Sequence, residues 1–319
     1  MGVVEGVYST SMAQHMVWLS GRLTFGECVE VFERIGQCIV GRSSIWRRFQ
    51  THGERLVAVA QAEESQVCPE RMQLGAASTD HATVKGASMD GGMVNIRTEG
   101  WKEMKVGTVY DVALRLEYDE RSGEYVQLPH AQNMGYTAVL GDVEQFRPAL
   151  WALAVAHALP SARQSSVTAD GAAWIWNLSA DLFPDSAQIV DWYHALDHLA
   201  AAAEALFPTD AKRAERWLNQ RQDDLFLGNL DAITQPLDAA GLFDHSHYFH
   251  THLRRMQYLE FRENGLPIGS GTVESTVKQF KTRLTGTGMR WNRDSAQRML
   301  LIRGAVLDGS FDDRWQQAA

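Results

Sequence analysis

The sequence predicts an α/β chain: a helical N-terminal region, a run of antiparallel strands, then strands alternating with helices. Three observations carry this prediction. Apolar residues recur at helical spacing up to about residue 61. From Ala87 the texture changes to strand-like runs joined by glycine-containing connections, and from Val143 helices alternate with short apolar strands. With 319 residues, 45% hydrophobic and 22% charged, the chain has ordinary globular composition and can bury a sizeable core. No stretch reaches the roughly 20 apolar residues that a membrane span needs. The first ten residues, MGVVEGVYST, lack the basic start and apolar core of an export signal. Cys28, Cys38 and Cys68 are odd in number and lack CxxC spacing. That argues against a disulfide framework or a cysteine zinc site and fits a reducing cytoplasm.

Residues 1–62 read as helical. Thr24 followed by Glu27 is a capping-box pattern, continued at helical spacing by Cys28, Val31, Phe32 and Ile35. Gly36 and Gly41 break that helix, Ser43 is placed to cap the next, and Ile45, Trp46 and Phe49 give it an apolar face. Two helices joined through glycines, the second carrying Arg47 and Arg48, match a helix-turn-helix that would set both arginines against DNA; a helical hairpin with a solvated basic face is the alternative. Residues 63–86 read as a linker and 87–319 as the main domain. There ASMDGGMVNIR, KVGTVYDVALRLEY and SGEYVQLPH form an antiparallel meander. The helix VEQFRPALWALAVAHAL tolerates Pro148 near its first turn. Strand SSVTAD, helix AAWIWNLSADLF, strand SAQIV and a helix starting DWYHALDHL follow. Antiparallel strands first and β-α-β-α second is the layout of an RNase H-like mixed sheet flanked by helices, although periodicity alone does not separate it from other α/β folds. Residues 197–262 read as a helical insertion, and GLPIGSGTVESTVKQFKTRL as a basic amphipathic helix.

A net charge of −9 counts against a nucleic-acid binder. The distribution counts the other way. Between Ser275 and Arg303 stand seven basic residues and one acid, Asp294, and Arg42, Arg47, Arg48 and Arg55 form a second cluster opposed by Glu54.

Three carboxylates fall where chain geometry exposes them at one edge of a sheet. Asp90 lies in the first strand before Gly91 and Gly92, Asp170 ends a strand before Gly171, and Glu274 sits in the first turn of a helix opened by GSGT. Converging carboxylates without a compensating cation suit hard divalent ions, and a metal pair can activate an attacking oxygen while stabilising the leaving one. Taken singly, each has a blander explanation: Asp-Gly is a common turn pair, and glutamate is favoured at any helix N-terminus.

The segments SMDGGMVNIR, EGWKEMKVG, VTADGAAWIWNLSADLFPDSAQIVDWYHALDHL, GLPIGSGTVESTVKQFKTRLTGTGMRWN and AQRMLLIRGAVLDGSFDDRW span most of residues 87–315. In these blocks the chain resembles the DDE insertion-sequence transposases of the ISKra type, distant relatives of Mutator-like elements. The resemblance implies an RNase H-like catalytic core, two Mg2+ (or Mn2+) ions, and cleavage and strand transfer of DNA at the terminal inverted repeats of a mobile element. It also implies a homo-oligomer on DNA, acting at the nucleoid. By motif it makes Asp90, Asp170 and Glu274 the catalytic metal ligands. It adds Asp191 and His194, whose spacing puts them on one helical face, as auxiliary residues that orient ligands or grip DNA. Relatives carry a longer region before the core, so a shortened N-terminus is expected, and where they commonly have glutamate before a later histidine this chain has Asp197-His198.

Lys278 and Lys281 follow Glu274 at i+4 and i+7 and could lay phosphates toward the metals; Arg283 and Arg290 extend the same basic stretch. Lys102 and Lys105 are weaker phosphate candidates, and Trp174 and Trp176 read as core. The histidines of DHSHYFHTH lack a zinc-site spacing and read as an exposed helix of the insertion. Two rivals stay open: a truncated or repurposed DNA-binding protein without catalysis, and another RNase H-like nuclease sharing the metal site.

Overall fold

The computed structural model describes residues 3–4, 8–67, 83–119, 123–269 and 271–318. The chain enters through a two-residue ladder, β1 (Val3–Val4) against β2 (Tyr8–Ser9), and Ser9 then caps α1 (Thr10–Ser20) by accepting the Met12 N–H. α2 (Phe25–Arg34) opens with the expected capping box, Thr24 and Glu27 each accepting the other's backbone N–H. α3 (Arg42–Gln66) is capped by Gly41, so Ser43 falls inside its first turn rather than before it. Because α3 runs to Gln66, the start of the expected linker is helical; residues 68–82, Cys68 included, lie outside the described residues.

The connection between α2 and α3, residues 35–41, exceeds the three- or four-residue turn of a helix-turn-helix. Nor is the apolar face of α3 free. Phe49 and Leu56 share one core with Val17 of α1 and with Val94, Val106, Phe280 and Met299 of the main domain. The N-terminal helices are therefore packed onto that domain.

β3 (Val84–Ile96), β4 (Gly100–Asp119) and β5 (Glu124–Val139) form the antiparallel meander, and β6 (Gln164–Ala169) and β7 (Ala187–Val190) add in parallel beyond β3. The order β5-β4-β3-β6-β7 makes a five-stranded mixed sheet flanked by helices. β5 runs past Pro129, which an edge strand tolerates because one of its sides carries no ladder. Side chains alternate between two cores. Ala87 and Met89 of β3 face a core with α4 (Val143–Ala156) and α5 (Ala173–Leu182), while Val94 and Ile96 face the one holding α11 (Gly271–Leu284) and α12 (Arg293–Asp308).

The insertion starts within α6 (Trp192–Leu206) and continues through α7 (Ala211–Phe226), α8 (Asp231–Ala239), α9 (Phe243–His252) and α10 (Tyr258–Glu263). Its Leu225, Ile233, Phe249 and Tyr258 belong to the first core, so it buries against the sheet domain. α13 (Phe311–Gln317) closes the chain against α3 and α12. Among the described residues no helix is long and apolar enough to cross a membrane.

Candidate metal centre

Ladder register builds the site. β3 and β6 run parallel with Ser88 opposite Thr168, and β6 and β7 with Ala169 opposite Val190. Continued one or two residues, these registers set Asp90 level with Asp170 and Asp170 level with Asp191. Neighbouring strands lie about 4.8 Å apart, so three aspartates form a row across three neighbouring chain segments, inside β3 and just past the ends of β6 and β7. The Asp191 N–H donates to the Ala169 carbonyl at 2.8 Å, which carries the pairing to that level.

Asp90 stands inside β3 opposite Val106, which removes the turn-former explanation for it. One of its oxygens accepts the Gly91 N–H at 2.6 Å. Burial pushes its carboxyl above the ordinary carboxylate range and the Asp170 charge adds to this, against the pull of the Gly91 N–H, Lys281 and His194. A side chain at Gly92 would meet Met104 Cε at 2.6 Å and Lys281 Cε at 3.3 Å, so the glycine leaves room for both beside the strand. Asp170 does make a turn, Oδ1 accepting the Ala172 N–H at 2.9 Å.

Asp191 is fully buried as the N-cap of α6, its Oδ1 accepting the His194 N–H at 2.8 Å. Capping and site membership coincide here. Ligand atoms of Asp191, His194 and Glu274 all lie within 4.8 Å of one another, the one His/Cys/Asp/Glu trio this close among the described residues. His194 Nε2 is 3.4 Å from Glu274 Oε1, and Lys278 Nζ is 3.7 Å from Glu274 Oε2. The segment leading to Glu274 is stitched to the strand ends: the Thr168 hydroxyl donates to the Pro267 carbonyl at 3.1 Å and the Trp192 N–H to the Ile268 carbonyl at 2.8 Å.

Within the row Asp90 and Asp170 stand side by side, and Glu274 sits nearest to Asp191 and His194, the two residues expected as auxiliaries. Four carboxylates and a histidine face two lysines, of which Lys278 is 78% exposed. Such a donor set fits divalent cations.

The histidine-rich stretch is exposed on one face only, through His247 and His250. α9 buries His252 and presses on the turn after Asp170, where Gly171 takes φ +109°. A Cβ on Gly171 would stand 3.3 Å from Tyr248 Cε2 and 3.4 Å from His252 Nε2. The His198 ring stacks on Tyr248 with centroids 3.6 Å apart. Burial lowers the pKa of His252 to about 4, with Arg255 adding to the effect, and that of Tyr248 is raised by burial and by the charges of Asp170 and Asp191. His252 Nδ1 faces Arg255 Nη1 at 3.3 Å; arginine only donates, so Nε2 keeps the imidazole proton. The sequence set His252 aside with the other histidines of the stretch and did not flag Tyr248, and their i, i+4 spacing is the local signal that they share a face.

Among the expected phosphate contacts, Lys278 and Lys281 lie on the face of α11 that carries Glu274, and Arg47 is exposed. Arg48 is buried at 6% exposure in the face of α3 that packs inward, and cannot grip DNA without unpacking it. Arg283 is 2% exposed. Nine residues beyond Glu274, it points from the opposite side of α11, donating Nε to the Ser20 carbonyl at 2.6 Å beneath Phe25 and Trp291. Arg290 is exposed in the loop after α11, away from the acids. Lys105 is buried, bonded to Glu103 at 2.5 Å and laid over Trp174, so it is no phosphate ligand, whereas Lys102 pairs with Glu99 at 3.9 Å. Trp176 is core, as expected. The chain matches no protein-family model, and no curated protein is significantly similar to it.

Proposed function

We propose that the chain is a DDE-type DNA transposase of the ISKra kind, cutting strands at the inverted repeats of an insertion sequence and joining them to target DNA. The observation that carries this reading is the row Asp90–Asp170–Asp191 at one level of β3, β6 and β7, faced by His194 and Glu274. The strand order supports an RNase H-like core: an antiparallel meander with two parallel strands added beside its first member.

Asp90 and Asp170 would hold one divalent cation, and Asp191, His194 and Glu274 a second. Mg2+ or Mn2+ bound there would polarise the scissile phosphate and make a bound water nucleophilic at neutral pH. The residues do the rest. Lys278 and Lys281 place the phosphate backbone along α11 toward the acids, and Tyr248 and His252 wall off the turn that fixes Asp170. Cleavage leaves a free 3′-hydroxyl, which attacks the target strand. Because two element ends must be brought together, the working unit is expected to be an oligomer.

The test is metal-dependent nicking of DNA that carries the inverted repeats flanking the gene. Wild-type protein should nick with Mg2+ or Mn2+ and not with EDTA, and Asp170→Asn should abolish the reaction. Undiminished nicking by Asp170→Asn would sink the assignment.

A further inference from the structure

Away from the acids, a cleft of about 1370 Å³ opens between the N-terminal helices and the far end of β3. Its floor and walls are basic. Arg42, Arg97, Arg283 and Arg290 line it, and among the described residues no aspartate or glutamate does. In a chain of net charge −9 that is a marked segregation. Arg42, Arg97 and Arg290 are exposed, and none has an ion-pair partner among the described residues. The acid on Arg97's own turn, Glu99, is held instead by Arg293 at 2.6 Å. Arg283 supplies a second kind of signal: it is 2% exposed, yet its Nη2 has no hydrogen-bond partner where it underlies the cleft. That Nη2 is itself out of solvent reach, so Arg283 favours an anion in the cleft through its charge beneath the surface.

Backbone adds to the pattern. The N-termini of α3 and α12 both open on the cleft through Arg42, Ser43, Asn292 and Ser295, and neither has a side-chain cap. Uncapped helix N-termini present free N–H groups and partial positive charge to an anion. The wall is rigid where it meets the sheet, since Arg97 N–H donates to the Trp291 carbonyl at 2.8 Å and Trp291 N–H to the Asn95 carbonyl at 3.0 Å. Trp46, stacked on Phe25 with centroids 6.3 Å apart, gives the lining an aromatic surface of the kind on which bases lie.

We infer that this cleft is a second nucleic-acid site, binding the phosphate backbone through the exposed Arg42, Arg97 and Arg290 above the buried charge of Arg283, independently of metal. It rests on the reading of the substrate as DNA but on none of the metal ligands. Seven residues of strand separate Arg97 from Asp90, about 23 Å at ~3.3 Å per residue, so the cleft would hold the strand about seven B-form steps from the cut.

Fluorescence anisotropy in EDTA tests this, using a labelled 20-nucleotide single strand, its duplex, and inorganic polyphosphate as competitor. Wild-type and Asp90→Asn/Asp170→Asn proteins should bind alike. Arg97→Ala/Arg290→Ala, two surface changes verified by unaltered melting, should weaken binding at least tenfold. It should also lower the salt-dependence slope by about 1.4 for the single strand, or 1.8 for the duplex. Double-variant binding within twofold of wild type at unchanged slope overturns the site, and so does absence of wild-type binding. Complete competition by an equal phosphate concentration of polyphosphate overturns its assignment to nucleic acid. Nicking separates the two proposals: binding through the cleft without metal-dependent nicking defeats the transposase reading alone, and nicking with an indifferent Arg97→Ala/Arg290→Ala defeats the cleft alone.

Discussion

Gly171→Ala tests whether the helical insertion holds Asp170 in place. At φ +109° the residue lies well beyond the left-handed helical region near +57°, so an L side chain is strained there by roughly 1–3 kcal/mol. The new Cβ would also stand 3.3 Å from Tyr248 and 3.4 Å from His252. Those rings cannot simply retreat: His252 is buried, and Tyr248 is stacked on His198 at 3.6 Å. Crowding of this kind adds about 1 kcal/mol. Together these give about 2–4 kcal/mol, or roughly 3–6 °C in melting temperature for 319 residues at ~2.1 cal/mol/K of unfolding entropy per residue. Gly100→Ala is the control, because Gly100 has φ +75° with nothing within 4 Å of a built Cβ. It should lose about half as much or less. At 25 °C, with both variants folded, Gly171→Ala should nick at least tenfold more slowly than wild type while Gly100→Ala nicks normally. If the two melt alike and both nick at the wild-type rate, the wedge against Tyr248 and His252 does not position Asp170.

Three further outcomes follow from the same geometry. His52 stacks on Trp315 at 4.1 Å, and burial, helped by the Arg55 charge, lowers its pKa from 6.5 to about 4. The unfolded chain thus binds more protons between those values, so stability falls as pH drops from about 6.5 to 4; the loss is about 3 kcal/mol, and urea midpoints at pH 7.5 and 4.5 should show it shrink in His52→Phe. Asp90→Asn removes a charge that burial and Asp170 disfavour, so in EDTA it should melt above wild type although it no longer nicks; a lower melting temperature would mean the carboxylate is stabilising without metal. Because His194 gives the centre an imidazole ligand, Mn2+ should support nicking at lower concentration than Mg2+, and His194→Ala should narrow the gap between the two metals; metal titrations of both proteins measure this.

What was legible in the sequence divides along a physical line. Each of β3, β6 and β7 is an apolar run that reaches an aspartate, and strand pattern plus flanking motif is enough to mark Asp90, Asp170 and Asp191 one at a time. Their standing in one row depends on two ladder offsets, Ser88 to Thr168 and Ala169 to Val190, and register between distant segments is set by packing, not by local pattern. Helical spacing worked the same way. It correctly put Lys278 and Lys281 beside Glu274, because that relation is internal to α11, and the same rotation sends Arg283 to the far side. What the far side meets was beyond local inference. Ser20, Phe25 and Trp291 bury Arg283 only because α1 and α2 fold onto the main domain, the step that also buries Arg48 and turns the helix carrying it into a wall. The same holds for α9. Five charged or imidazole side chains in nine residues look like solvent-facing surface until the insertion is seen to lean on Gly171. Yet the basic residues beyond Lys281 did not scatter: Arg283 and Arg290, expected among the DNA contacts, both line the cleft at the other end of β3. Charge patterning located a basic surface correctly and missed which end of the strand it serves, which is why the cleft and the metal centre must be tested as separable sites.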